Sequence, residues 1–215
     1  MEKDSWVDVM KDLQGYMKPN QMAAVYNSCD SIRDKVLVRV LWKSGRRITE
    51  VLMLKVSDIN FDEENIVWNI EKKKKPMKKL KPMDNFTIRL LNFYVEQNKL
   101  QANDYIFKSP YDNNKHITRQ RAFQIIRRVC EKAGIYHIGS KRPHPHHFRH
   151  SFAVDISKRA KSPSDIKKLQ MLLEHTSLNT TESYLQFGSE DLRELIEDHQ
   201  QPIHSDEDNQ QQKDS

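Results

Sequence analysis

Apolar residues recur at helical spacing along most of this chain, and one stretch near the middle alternates instead. In "SWVDVMKDLQGY", Trp6, Val9, Met10 and Leu13 share a helix face, with Ser5 placed as the N-cap. "PNQMAAVYNSC" predicts a second helix starting after Pro19. "SIRDKVLVRVLWK" predicts a third, apolar on most sides and therefore buried, that halts at Ser44-Gly45. "ITEVLMLK" is a further helical piece, and "VSDINFDEEN" reads as a turn-rich link. "IVWNI" is β-branched and aromatic; with "EKKKKPMKKLKPM" and Pro76 at a turn it predicts a β-hairpin with a very basic tip. Helical periodicity resumes in "NFTIRLLNFYVEQ", "TRQRAFQIIRRVCEKAG", "HHFRHSFAVDISKR", "SPSDIKKLQMLLEH" and "NTTESYLQF". Thr118 is placed to cap the second of these and Gly134 to stop it. "SEDLRELIEDH" sets Leu192, Leu195 and Ile196 on one face, with Ser189 as N-cap. From Ser205 onward nothing can be buried.

The pattern implies an α+β, mostly α-helical chain. Its 215 residues and 37% apolar content suit one sizeable domain with tails. Cys29 and Cys130 make neither a disulfide framework nor a zinc knuckle, so a reducing cytoplasmic setting is expected. No apolar run reaches the roughly 18 to 20 residues that cross a bilayer, and "MEKDSWVDVM" lacks the apolar core of a signal peptide, so no membrane role is expected.

Charge sharpens the picture. From Ser189 to Ser215 nine acids face Arg193 and Lys213, a balance of −7, so with +6 overall the first 188 residues carry +13. A strongly basic body with an acidic tail favours a polyanionic partner, and nucleic acid above others.

The densest chemistry lies in "HPHHFRH", residues 144 to 150, where His144, His146, His147 and His150 surround Arg149. Zinc sites use histidines at i, i+4, and His146 and His150 share a helix face. Arg149 adds a permanent cation to that turn, and no carboxylate or thiolate lies in the motif. An anion site is favoured over a metal site. A plainer reading has the histidines capping a helix and bonding to its backbone.

"SGRRITEVL", the lysine-rich hairpin, "HHFRH" and "LLEHTSLNTTESYL" follow one another in an order that resembles the tyrosine recombinase, or phage integrase, family. The resemblance covers the catalytic domain, from about Lys18 to Gln186. It implies a segmentation into a short helical extension (1–17), the catalytic domain (18–188), a C-terminal helix (189–204) and a disordered tail (205–215). It also implies site-specific cutting and rejoining of double-stranded DNA through a covalent 3′-phosphotyrosine, with no metal or cofactor and four copies on the DNA.

The family constellation falls on Arg47, a hairpin lysine, His146, Arg149, His175 and Tyr184. The pattern Gly-x-Arg-x-x-Glu, matched by Gly45, Arg47 and Glu50, selects Arg47 over Arg46. Two guanidiniums can hold the non-bridging phosphate oxygens, Tyr184 is the implied nucleophile, and His146 and His175 the implied proton-handling groups. Lys74 is the implied general acid with Lys72 its rival, since strand alternation puts both on one face and Lys73 on the other. Lys72, Lys75, Lys78, Lys79, Arg119 and Arg121 are expected on the DNA backbone, with Arg127 and Arg128 as further candidates.

Glu174 stands where the family usually has glycine, and His147 where it commonly has aspartate. Members usually carry a separate helical DNA-clamping domain ahead of the catalytic one. About 17 residues precede the match here, so weak, steeply salt-dependent binding is expected. Two other readings share these residues: a non-catalytic DNA-binding protein that keeps the fold, and a nicking-resealing enzyme of the type IB topoisomerase kind.

Overall fold

A computed structural model describes residues 15–70 and 77–159. Helix α1 (Pro19–Asn27) opens on a proline, whose missing N–H costs nothing in a first turn, and buries Met22 and Val25. Helix α2 (Ile32–Ser44) is capped by Ser31, whose Oγ accepts the N–H of Asp34 at 3.2 Å. It is the most buried element. Val36, Leu37, Val38, Val40 and Leu41 are all fully enclosed, as the apolar run on most of its sides predicts. The helix ends where Gly45 turns left-handed at φ +59.

Helix α3 (Ile48–Leu52) is a single short piece, and a 3-10 turn (Val56–Asp58) leads into a small antiparallel sheet. Its strands β1 (Ile59–Asn60), β2 (Asn65–Ile70) and β3 (Met77–Pro82) lie in sequence order. The stretch read as a link therefore holds a strand. Two paired residues are too short to show an alternating pattern. Ile66, Trp68 and Ile70 of β2 are buried and alternate with half-exposed neighbours, as expected of a sheet with one face on a core. Register pairs Trp68 with Lys79, Asn69 with Lys78 and Ile66 with Lys81. Cross-strand partners share a face, so Lys79 and Lys81 lie on the Trp68 face and Lys78 on the other.

Helix α4 (Asn85–Gln97) is capped by Asp84, which accepts from both the N–H and the hydroxyl of Thr87. Helix α5 (Arg119–Lys132) has Thr118 as its cap and Gly134 at φ +76 just past its end, both as predicted. Helix α6 (Pro145–Lys158) starts one residue before the predicted "HHFRH" run, again on a proline. Helices α1, α4 and α6 pack around α2, while α5 packs on α1 and α3. Ahead of α1, Met17 is buried and donates its N–H to Ser151 Oγ of α6 at 2.7 Å. The leading helix around Trp6, the hairpin tip, and everything from residue 160 onward lie outside the described residues.

Candidate active site

The left-handed turn at Gly45 sends two consecutive arginines in opposite directions. Arg46 turns inward: its side chain is 2% exposed, its guanidinium lies over Trp68, and Nη1 is 3.8 Å from Glu50 Oε2. Arg47 turns outward, 49% exposed, with Nη1 3.1 Å from Glu50 Oε1. Glu50, fully buried, also accepts the backbone N–H of Arg47 at 3.3 Å, so one carboxylate fixes the whole turn. The two neighbours therefore differ in setting, Arg46 packed in the core and Arg47 half in solvent, and both border the cleft described next.

Arg149 reaches the same turn from α6. It is buried, and Nη1 donates to the Gly45 carbonyl at 2.8 Å. One turn earlier on the helix, His146 is exposed. Together with Arg119 and Phe123 of α5 and His144, these residues line a cleft of about 350 Å³. Arg46, Arg47, Arg119 and Arg149 make it cationic, and the buried Glu50 is paired with the first two of these.

The four histidines of the motif have separate duties. His144 caps α6: its Nδ1 accepts the N–H of His146 at 3.2 Å, while its own N–H donates to His147 Nδ1 at 3.2 Å. His147 is buried, and burial, then the neighbouring histidines, push its pKa down to about 3. His150 packs edge-on against Tyr16, and burial pushes it down to about 4. His146 is lowered too, by desolvation first and then by the guanidiniums of Arg149 and Arg47. Burial and the two guanidiniums thus favour its neutral form, which keeps one ring nitrogen unprotonated. The capping reading holds for His144 and His147, while His146 and Arg149 line the same cleft. Among the described residues no group of three His, Cys, Asp or Glu side chains could hold a metal ion.

Of the residues expected on DNA, Arg119 lies in the cleft and Arg121 does not. Arg121 lines a neighbouring depression with Arg33, Tyr111 and Gln124. Arg128 is engaged with the buried Asp34, which also holds Arg33, and so serves the α2–α5 junction. Lys78 and Lys79 leave β3 on opposite faces. Sequence reasoning missed Phe123 as a cleft residue, and placed His144 in the motif without a role of its own. The His144-Pro145 pair carried a usable signal, since proline at N1 makes its predecessor the cap. Lys72, Lys74, Lys75, Glu174, His175 and Tyr184 lie outside the described residues.

The sequence matches the phage integrase family over residues 15–190, so the chain belongs to that family. It is 26% identical over 190 residues to the tyrosine recombinase XerA of Pyrococcus horikoshii, covering 88% of this chain and 62% of that protein. It is 30% identical over 173 residues to the tyrosine recombinase XerD of Yersinia pestis, covering 78% and 54%. The chain thus spans between half and two thirds of the length of these relatives. The fold superposes on the crystal structure of a XerA recombinase with a TM-score of 0.71 at 25% identity, covering 87% of this chain and 65% of that one. A XerH site-specific recombinase bound to its palindromic difH substrate after cleavage shares the fold, with a TM-score of 0.68 at 23% identity over 88% and 54%. The fold is that of the tyrosine recombinase catalytic domain: mostly helical, with a small antiparallel sheet. No helix among the described residues is long and apolar enough to cross a membrane.

Proposed function

We propose that this chain cuts and rejoins double-stranded DNA at specific sites through a 3′-phosphotyrosine at Tyr184. The observation that carries the reading is the convergence of Arg47, His146 and Arg149 on one cleft, with Arg149 fixed to the Gly45 carbonyl. Attack on a phosphodiester adds charge to the non-bridging oxygens, and buried or half-buried guanidiniums supply charge-assisted bonds to them, each worth about 1.5–3 kcal/mol. Because their partners hold them in place, little reorganisation is needed as that charge develops.

In this scheme the Tyr184 oxygen bonds to phosphorus as the bond from phosphorus to the 5′ oxygen breaks. His146, neutral in the cleft, takes the tyrosine proton, and Lys74 gives its proton to the departing 5′ oxygen. His175 donates to a non-bridging oxygen. The phosphotyrosyl bond keeps the phosphodiester energy, so a new 5′ hydroxyl can reverse the steps without ATP, a metal or a cofactor. Lys74 is preferred to Lys72 on counting back along the sequence from Pro82. Lys72, Lys75, Lys78, Lys79, Arg119 and Arg121 serve as backbone contacts.

Four copies act on two duplexes, with the 190–198 segment bridging neighbours, and the reaction takes place on cytoplasmic DNA as integration, excision or resolution. The test is incubation of the protein with nicked suicide duplexes of candidate sites, resolved on a denaturing gel. A protein–DNA adduct that survives denaturation is expected; binding with no adduct under any sequence tried would leave only a DNA-binding role.

A further inference from the structure

Helix α6 begins on a histidine, although serine, threonine, aspartate and asparagine are the usual caps. The bond that makes His144 a cap also decides its tautomer. With Nδ1 accepting the His146 N–H, a neutral ring carries its proton on Nε2. Among the described residues, none accepts that proton. The ring is held between two neighbours: Phe123 lies nearly parallel to it, at 13° and 6.5 Å between centroids, and the His147 ring is 3.8 Å away. Its environment favours the neutral form, through burial first, then His146, Lys141 and Arg127.

A cap alone does not require an imidazole. The same ring, however, lines the cleft that holds Arg47, Arg119, His146 and Arg149. A rigid, neutral N–H donor on the wall of a cationic cleft is complementary to an anionic oxygen and adds no charge repulsion to the arginines.

We propose that His144 has a second role beside capping: it donates Nε2–H to a phosphate oxygen of DNA lying in the cleft. This rests on the reading of the cleft as a DNA phosphate site, and it adds a residue to the constellation that the family resemblance supplied.

The test uses the full chain and His144→Ser, which keeps a capping oxygen and removes the ring. Thermal melting, affinity for a duplex oligonucleotide and adduct formation on a nicked duplex are measured for both. His144→Ser should melt as the wild type does, yet lose about tenfold in duplex affinity or adduct rate, the size of one hydrogen bond to a charged acceptor. Equal affinity and equal rate at equal melting temperature would overturn the proposal and leave His144 a cap only.

Should the serine variant melt early, the wild type decides by nitrogen-15 NMR of its histidines. The His144 Nε2–H signal should sharpen and shift when duplex is added, and an unchanged signal in a saturated complex would overturn the proposal. A wild type that gives no adduct, but loses duplex affinity on His144→Ser, separates the two claims: the cleavage reading fails and the phosphate contact stands.

Discussion

Arg149, carried on α6, donates through Nη1 to the carbonyl of Gly45 at 2.8 Å, so the second arginine of the cleft is fixed to the turn that presents the first. Two elements far apart in sequence are set relative to each other by this contact. The consequences differ for each residue of the turn.

Gly45 carries the backbone role. At φ +59 an L side chain is strained, and a Cβ there would clash with the ring of Phe152, packed at the α2–α6 junction. Gly45→Ala is expected to cost about 2 kcal/mol or more in unfolding free energy, the sum of the left-handed penalty and a displaced ring. Urea unfolding measures it; a variant as stable as the wild type would show that the junction yields easily.

Arg46 and Arg47 should separate cleanly. Arg46→Ala removes a buried cation packed on Trp68 and leaves Glu50 with one guanidinium fewer in the core, an expected loss of about 3 kcal/mol. Arg47→Ala, half in solvent, should cost about 1 kcal/mol or less while abolishing adduct formation. Stability by chemical denaturation, and adduct yield for both variants, check the pair. The reverse pattern would exchange the two residues' roles.

Acid sensitivity follows from the buried histidines. His147 and His150, near 6.5 when unfolded, are pushed down to about 3 and about 4 in the folded chain. Above pH 6.5 neither state binds these protons. As pH falls below 6.5 the unfolded chain takes them up and the folded chain does not, so stability is lost between pH 6.5 and about 4, by up to about 1.4 kcal/mol per pH unit for each ring. His147→Asn, able to accept the His144 N–H through its side-chain oxygen, should flatten that dependence. An unchanged slope would place the acid sensitivity elsewhere.

The hairpin lysine is tested by its leaving group. Lys74→Ala should slow cleavage of an ordinary duplex, whereas a 5′-bridging phosphorothioate, whose sulfur departs without a proton, should restore the rate. Rescue of Lys72→Ala alone would move the assignment to Lys72.

Much of the fold was legible because its signals are local. Thr118 announces a helix start, Gly45 and Gly134 announce ends, and the enclosed α2 shows as an apolar run. Strand β1 was not legible, since two residues carry no period. In the site, order along the chain was enough to pick out Arg47, His146 and Arg149. What each histidine does was not readable from spacing, because a ligand, a cap and a base can all stand at the same intervals. His144 and Phe123 meet only when α5 and α6 pack together, and no local pattern encodes that. The pairing of Arg128 with Asp34, ninety-four positions away, was equally invisible in the sequence.

The central claim is that Tyr184 becomes covalently joined to DNA. The most direct measurement is proteolysis and mass mapping of the adduct formed on a nicked suicide duplex, run in parallel with Tyr184→Phe. The account predicts a nucleotide-bearing peptide that contains Tyr184, and a phenylalanine variant that binds the duplex as the wild type does but yields no adduct. An adduct that persists in Tyr184→Phe, or one that maps to another residue, would contradict it.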